Sequence, residues 1–189
     1  MTKSRLEAFS DGVIAIIITI MVLELRVPED SADWHALEEL APVFCTYVLS
    51  FVFLGIYWNN HHYLIHAAGR VTAGILWANL HLLFWLSLTP FVTGWMGHHH
   101  LEPVPSAAYG VVMLMSAIAY TILQQRIIAT EGPNSRVARS IGGDGKGFLS
   151  LALYGMAIAF AFINQWMSDA IYVGVALMWL VPDRRLRPS

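Results

Sequence analysis

The sequence has few charged residues. Only 13% of its 189 residues are Asp, Glu, Lys or Arg, whereas soluble domains carry about 25%. Hydrophobic residues make up 57% of the chain, and its mean hydropathy is +0.56. This balance predicts that lipid surrounds much of the chain.

Other absences narrow the function further. The single cysteine, Cys45, excludes an internal disulfide. The net charge is −2, whereas proteins that bind nucleic acid usually carry an excess of positive charge, so no nucleic-acid partner is expected. The sequence contains neither a G-x-S-x-G nucleophile elbow nor an H-E-x-x-H zinc motif. A T-V-G-Y-G ion filter and a ladder of regularly spaced arginines are also missing.

What the sequence does contain is six apolar segments. A bilayer span takes about 20 apolar residues, and we predict an all-α integral membrane protein with helices at 6–25, 42–64, 71–95, 105–128, 148–166 and 169–181. The last span is short, but Pro182 and a basic tail mark its end. Asp11 interrupts the first run and no cleavage site follows, so we interpret it as a retained helix. The chain 1–189 is then one transmembrane domain.

The basic residues predict the orientation of these helices. With the N-terminus inside, all of the eleven Lys and Arg residues except Arg26 lie on the inner side. The predicted outer loop 28–40 is acidic instead. Cytoplasmic loops of membrane proteins carry an excess of Lys and Arg, so this asymmetry supports six helices with both termini cytoplasmic.

The start of the first helix is unusually polar. Asp11 lies at the inner membrane boundary, where an ionisable residue is costly and needs a partner. It is either an ordinary helix-start residue or part of a buried polar network that holds helices together. We favour the network, because partners at the same depth are available. These are Arg5, His61, His62 and Asn79.

The rest of the first helix carries an apolar stripe. Ile16, Ile20 and Leu23 follow an i, i+4, i+7 spacing and share one face, with Thr19 beside them. Taken alone, such a stripe indicates packing against lipid or other helices. Its periodicity does not reveal a pore.

The histidines raise the alternative of a membrane metal oxidase. One group is His61, His62 and His66, and another is the run 98–100. The predicted topology places the first group inside and the second outside, so they do not converge on one metal pair. The ligand count within either group is too small for a catalytic centre, and we predict no metal site.

Specific motifs connect the chain with a known family. The motif of the first helix reads R-x-x-x-F-S-D-G from Arg5 to Gly12, and it extends past the helix to Val27-Pro28. Trp58 to His62 follow as W-x-x-H-H, and later matches begin at Asn79 and Pro90. These motifs resemble the transmembrane protein 175 family, which comprises lysosomal potassium channels and prokaryotic homologues. The resemblance is close over the first three helices and rests on hydropathy alone over the last three.

The resemblance implies an assembly and a pore. Prokaryotic members are homotetramers of six-helix subunits in which each first helix lines a central pore. The apolar constriction rings of the family fall on Ile16, Ile20 and Leu23, and a threonine tied to potassium preference falls on Thr19. The family's polar network falls on residues of the first three helices. They are Arg5, Phe9, Ser10, Asp11, Trp58, His61, His62 and Asn79.

The resemblance also implies a function without catalysis. We expect a potassium-preferring leak channel in a prokaryotic plasma membrane, with permeant potassium ions and no cofactor. Glu24 lies near the outer mouth, where it either attracts cations or pairs with Arg26. Animal members carry two six-helix repeats and this chain has one, which implies a tetramer. Proton conduction, the metal oxidase and a membrane protein without flux are the alternatives.

Overall fold

The chain folds into a bundle of helices. The computed structural model describes residues 1–27, 34–133 and 145–180, together with Ser135 and Ala138. Its helices, in chain order, are α1 (Lys3–Ile20), α2 (Trp34–Glu39), α3 (Ala41–Ala67), α4 (Ala73–Ser87), α5 (Thr89–His98), α6 (Pro103–Glu131), α7 (Gly145–Ala161) and α8 (Gln165–Leu180). The prediction of an all-helical chain with several apolar helices is confirmed.

Four stretches are long and apolar enough to cross a membrane. They are Lys3–Glu24, Ala41–Ala67, Ala73–His98 and Pro103–Glu131. The helices α7 and α8 are shorter, with 17 and 16 residues. At a rise of about 1.5 Å per residue they measure about 25 Å, somewhat less than a hydrocarbon core of about 30 Å.

The first helix changes geometry before its predicted end. Thr2 caps its start, where the side-chain oxygen accepts a hydrogen bond from the Arg5 N–H. The α-helix ends at Ile20 and continues as a tighter 3-10 turn over Met21–Glu24. Such turns are common at helix ends, because i to i+3 bonds satisfy the last carbonyls.

The predicted span 71–95 is two helices. The α-helix breaks at Leu88, and Pro90 lies in the first turn of α5. A proline has no N–H to donate, and its ring collides with the preceding turn. The sequence Thr89-Pro90 therefore turns one apolar segment into α4 and α5, which together still have the length of a span.

Two further differences from the sequence prediction concern the helices α2 and α8. The helix α2 was not predicted at all. The helix α8 begins at Gln165, four residues before the predicted start, because Asn164 accepts a hydrogen bond from the Trp166 N–H at 3.1 Å. Position 181 and the tail from Pro182 onward lie outside the described residues, as do Arg136 and Arg139.

Packing divides the interior into two apolar clusters. In the first, α1 packs on α3 and α4, with Ile14 and Leu82 fully buried, and the second half of α6 closes it with Leu123. In the second, the first half of α6 packs with α3, α5, α7 and α8 around Tyr109 and Tyr172. The helix α1 thus belongs to one cluster only and lies at one side of the subunit.

Candidate functional site

The helix α1 has one face buried in its own subunit. Leu6, Ser10, Ile14, Ile17 and Met21 follow each other at three- or four-residue intervals and are all buried. This spacing is that of one helical face, which packs on α3 and α4. The opposite face of α1 meets nothing in the subunit.

The uncovered face carries the apolar stripe. The exposed fractions are 57% for Ile16, 44% for Ile20 and 72% for Leu23. Among the four long apolar stretches, Lys3–Glu24 has the highest mean hydropathy, 2.1, and the smallest buried share, 28%. A helix that is apolar all round and half uncovered must be covered by lipid or by another chain.

Thr19 is also exposed, and its hydroxyl proton is engaged. The hydroxyl donates to the carbonyl oxygens of Ile16, at 2.9 Å, and Ala15, at 3.1 Å. With its proton directed at the helix backbone, the Thr19 oxygen presents lone pairs to whatever lies beside the stripe. That arrangement suits a cation or a water hydrogen better than an anion.

A buried polar chain connects three helices next to this stripe. Asn79 on α4 donates from its amide nitrogen to the Ser10 hydroxyl at 2.9 Å, and Ser10 donates to the Leu6 carbonyl at 2.9 Å. The Asn79 oxygen lies 2.7 Å from Nε2 of His61 on α3. All three side chains have no exposed surface. The directions are consistent only if His61 carries its proton on Nε2.

Asp11 lies outside this chain and has its own partner. Its carboxylate accepts a hydrogen bond from the indole nitrogen of Trp58 at 3.0 Å, and both groups are partly exposed. The indole of Trp58 also stacks on the ring of His62, with centroids 6.3 Å apart. Asp11 and Trp58 therefore form a second link between α1 and α3.

A third link was missed by the sequence analysis. Nδ1 of His62 lies 2.9 Å from the carboxylate of Glu7, and Lys3 donates to the backbone carbonyl of His66. Glu7 and Lys3 precede Asp11 by four and eight residues, so the three share one face of α1. That spacing was the available signal for including Glu7.

Two predicted members of the network do not join it. Arg5 has an exposed side chain with no ion pair among the described residues, and its backbone N–H bonds to Thr2. Phe9 is 49% exposed on the subunit. Both side chains leave the subunit from the N-terminal half of α1, where a neighbouring chain or lipid would meet them.

Glu24 turns back onto its own subunit. A side-chain carbon added at Gly94 of α5 would lie 2.0 Å from a carboxylate oxygen of Glu24, so this carboxylate rests on the α5 backbone. The ion pairs of the described residues do not include one between Glu24 and Arg26. The glycine at position 94 is what allows the carboxylate to approach.

The histidines are spread over the subunit. His61, His62 and His66 are near the end of α3, and His81 accepts a hydrogen bond from Trp85 within α4. His98 is the last residue of α5, and residues 99–100 follow in a turn. Among the described residues, no group of three or more His, Cys, Asp or Glu side chains is arranged to hold a metal ion.

Fold and site together describe a multi-pass helical membrane protein whose first helix exposes an apolar stripe beside a buried polar network. A model of the family described as Endosomal/lysosomal potassium channel TMEM175 matches residues 5–90. These residues contain the stripe, the predicted network and the R-x-x-x-F-S-D-G and W-x-x-H-H motifs of the resemblance.

Individual relatives extend the similarity to the whole chain. A Chryseobacterium protein (strain P1-3) named as a potassium channel is 52% identical over 189 residues, which is 100% of this chain and 98% of the relative. A Streptomyces collinus protein with the same designation is 30% identical over 94% of this chain and 91% of its own. The chain therefore belongs to the TMEM175 family.

A solved structure supports the same placement. The crystal structure described as a lysosomal potassium-selective channel TMEM175 homolog from Chamaesiphon minutus superposes with a TM-score of 0.85 at 26% identity, and covers 95% of this chain and 96% of that chain. An animal relative, the Endosomal/lysosomal proton channel TMEM175 of Danio rerio, is 39% identical over 83 residues, or 38% of this chain and 16% of its own.

Proposed function

We propose that this protein is a potassium-preferring leak channel whose pore is lined by α1 from several copies of the chain. The observation that carries the proposal is the exposed stripe of Ile16, Ile20 and Leu23 on a helix whose other face is buried. The bacterial relatives named as potassium channels support it. Because the chain belongs to a channel family, the proposed function is ion conduction and not catalysis.

The stripe becomes a pore only in an oligomer. One copy of α1 cannot enclose a path, whereas a symmetric ring of copies places the same three side chains around an axis. We propose a homotetramer, because the chain has one set of helices where the animal family members carry two. Its single 1–189 domain is built around that axis.

For the topology, we propose six membrane-spanning segments with both termini in the cytoplasm of a prokaryote, in its plasma membrane. The helices α7 and α8 are the two short spans. Lys3 contacts the end of α3, and Gly69 after α3 bonds to Glu131 at the end of α6, so the basic N-terminus and these helix ends share one side. Lys146 at the start of α7 has the matching position in the alternation of helices.

The proposed permeation path has apolar rings and polar oxygens. Narrow rings of isoleucine and leucine exclude water and close the path by dewetting, and widening them lets a hydrated or partly hydrated ion pass. The Thr19 oxygens stand between the rings with free lone pairs and replace part of the lost hydration. Potassium holds its water less tightly than sodium, so partial dehydration costs potassium less.

The polar network gives α1 a defined position. Ser10 is bonded through Asn79 to His61, and Asp11 is bonded to Trp58, so α1 is attached at adjacent residues to α3 and α4. Apolar packing alone would allow α1 to slide or rotate, which would move the rings. We propose that these residues position the pore helix, with His62 and Glu7 as a further support.

Glu24 is proposed to act at the outer mouth from a fixed place. A carboxylate resting against Gly94 keeps its charge near the end of α1 and raises the local cation concentration there. The channel needs no cofactor or bound metal for this mechanism. Its ligands are the permeant monovalent cations, and its surroundings are lipid and its own copies.

The test is ion flux into liposomes reconstituted with the purified protein under opposed potassium and sodium gradients. Ile16→Asn should change the flux, because an amide hydrates a ring that otherwise dewets. Leu177→Asn on α8 is the matched control, since Leu177 is 58% exposed and Ile16 57%. Equal flux through wild type and through asparagine variants at each of the three stripe positions would refute the pore assignment.

Proton conduction is the second candidate, because animal relatives such as that of Danio rerio are named proton channels. The same liposomes distinguish the two functions in a second measurement, in which a pH-sensitive dye is enclosed and the potassium gradient is removed. If the proton entry measured in this way is larger than the potassium entry of the first measurement, and the same Ile16 variant changes it, the proton channel would be favoured.

A further inference from the structure

The C-terminal end of α1 rests on a different helix from the rest of α1. The α-helical part, Lys3–Ile20, packs chiefly on α3 and α4. The 3-10 turn Met21–Glu24 packs chiefly on α5, the helix that begins after the break at Leu88. The two parts of α1 are therefore supported by different helices of the subunit.

Two residues of the 3-10 turn are seated on consecutive residues of α5. Met21 has no exposed surface, and its sulfur lies 4.0 Å from the hydroxyl oxygen of Thr93. The Glu24 carboxylate rests on Gly94, the next residue of α5. Leu23, the last residue of the stripe, lies between these two contacts in the turn. Its place therefore depends on where α5 holds its neighbours.

Thr93 is itself fixed by a buried chain of hydroxyl groups. Its hydroxyl donates to the Thr89 carbonyl at 2.7 Å and lies 2.7 Å from the Ser50 hydroxyl oxygen. The Ser50 oxygen lies 3.1 Å from that of Tyr109. All four side chains have no exposed surface. These hydrogen bonds connect α5 with α3 and α6, and a buried chain of this kind makes a helix contact rigid.

A valine in place of Thr93 would cut this chain. The Ser50 and Tyr109 hydroxyls would still contact each other, but they would lose their hydrogen bond to α5. Apolar contacts are not directional, so they permit small shifts of one helix past another that hydrogen bonds oppose. A shift of α5 would carry Met21 and Glu24 with it, and Leu23 between them.

We propose that Thr93 is a positioning residue for Leu23, the outermost ring of the pore, and acts on it through Met21. The stripe then has two separate supports. Ile16 is placed by the polar network on α3 and α4, whereas Leu23 is placed by the hydroxyl chain of α5. Because the break at Leu88 separates α4 from α5, the outer ring can change its width without displacing the inner one. This role rests on the proposed function, since Leu23 narrows a pore only if α1 lines one.

The test measures the accessibility of single cysteines in a background where the one native cysteine, Cys45, is replaced by alanine. Leu23→Cys is treated in detergent micelles with a water-soluble cationic methanethiosulfonate, and its modification is followed by mass spectrometry. Adding Thr93→Val should raise the rate about fivefold, the effect of one net hydrogen bond. Thr93→Ser keeps the hydroxyl and should leave the rate unchanged. A role of Thr93 in overall stability would not change the rate at one position alone.

Thr121→Val is the matched control. Thr121 also donates to the carbonyl four residues earlier, but it lies on α6 among residues of α3, α7 and α8. This variant should leave the Leu23→Cys rate unchanged, and Thr93→Val should leave the Ile16→Cys rate unchanged. Ser50→Ala cuts the same hydroxyl chain and should also raise the Leu23→Cys rate, so it tests the proposal even if Thr93→Val does not fold.

Flux through liposomes separates this proposal from the pore assignment. Modification of Leu23→Cys attaches a positive charge to the stripe and should reduce potassium flux. If the modification rate responds to Thr93→Val but the modified protein conducts normally, Thr93 positions Leu23 and the pore assignment fails. Equal Leu23→Cys rates in the Thr93→Val, Ser50→Ala and unsubstituted backgrounds, or an equal rise at Ile16→Cys, would overturn the proposal.

Discussion

Asn79→Leu tests how the polar chain holds α1. The substitution keeps the approximate shape of the side chain and removes its bonds to Ser10 and to His61. The two partners are affected differently. Ser10 still donates to the Leu6 carbonyl, but His61 is fully buried and its Nδ1 already has no partner among the described residues. Without Asn79, both ring nitrogens of His61 are unpaired.

The expected cost follows from this asymmetry. A buried donor left without an acceptor costs about 1–3 kcal/mol. A side-chain hydrogen bond between membrane helices contributes about 0.6 kcal/mol. This is the expected loss from breaking the hydrogen bond between Asn79 and Ser10. Together these terms predict that Asn79→Leu lowers the free energy of unfolding by roughly 2–4 kcal/mol.

The double variant His61→Phe with Asn79→Leu separates the two terms. It replaces both partners with apolar groups of similar shape, so no donor is left orphaned, and such paired replacements are nearly neutral. We expect the double variant to be more stable than Asn79→Leu alone. The assay is reversible unfolding in mixed micelles, followed by tryptophan fluorescence.

The control is Gln124→Leu on α6. Gln124 is 7% exposed, and its side chain makes no hydrogen bond among the described residues, so its replacement should change the stability little. If the double variant loses as much stability as the two single variants added together, the orphaned-donor argument is wrong. The network would then contribute only independent packing terms.

Two glycines give further predictions. Gly97→Ala should lower the stability by about 1–3 kcal/mol in the same unfolding assay, because its new Cβ would lie 2.8 Å from the backbone Cα of Val43. Gly155→Ala, where nothing lies within 4 Å, should be neutral or stabilising. Gly94→Ala should displace the Glu24 carboxylate without removing its charge. We expect both Gly94→Ala and Glu24→Gln to reduce potassium flux in liposomes. An unchanged flux in Gly94→Ala alone would show that the place of the charge does not matter.

The positions of many of the helices could be predicted from local sequence. The apolar runs around α3 and α6 have the length of a span, and no partner is needed to satisfy the backbone of a helix in lipid. The break at Leu88 was also encoded locally by Thr89-Pro90, but hydropathy averaged over a window conceals it. The start of α8 depends on one capping residue, Asn164, which hydropathy does not register.

The site was readable only in part. Common depth in the membrane grouped His61 with Asn79, and the family resemblance added Ser10; these three do lie in one hydrogen-bonded chain. The hydrogen-bond partners within the group could not be predicted, since Asp11 pairs with Trp58 and not with a histidine. Glu7 was overlooked because its carboxylate has an ordinary place on a helix end, and only its distance to His62 gives it a role.

By itself, the sequence determined that lipid surrounds much of the chain, that several apolar helices form, and which residues share a face of α1, because hydropathy and the helical period are properties of neighbouring residues. Only the tertiary structure decided which face of α1 is covered, since the stripe and the buried face are both apolar. It also decided that the Glu24 carboxylate rests on Gly94 and that Thr93 shares a buried hydrogen-bonded chain with Ser50 and Tyr109. The physical reason is that such contacts join residues far apart in the chain, and their partners are chosen by helix packing.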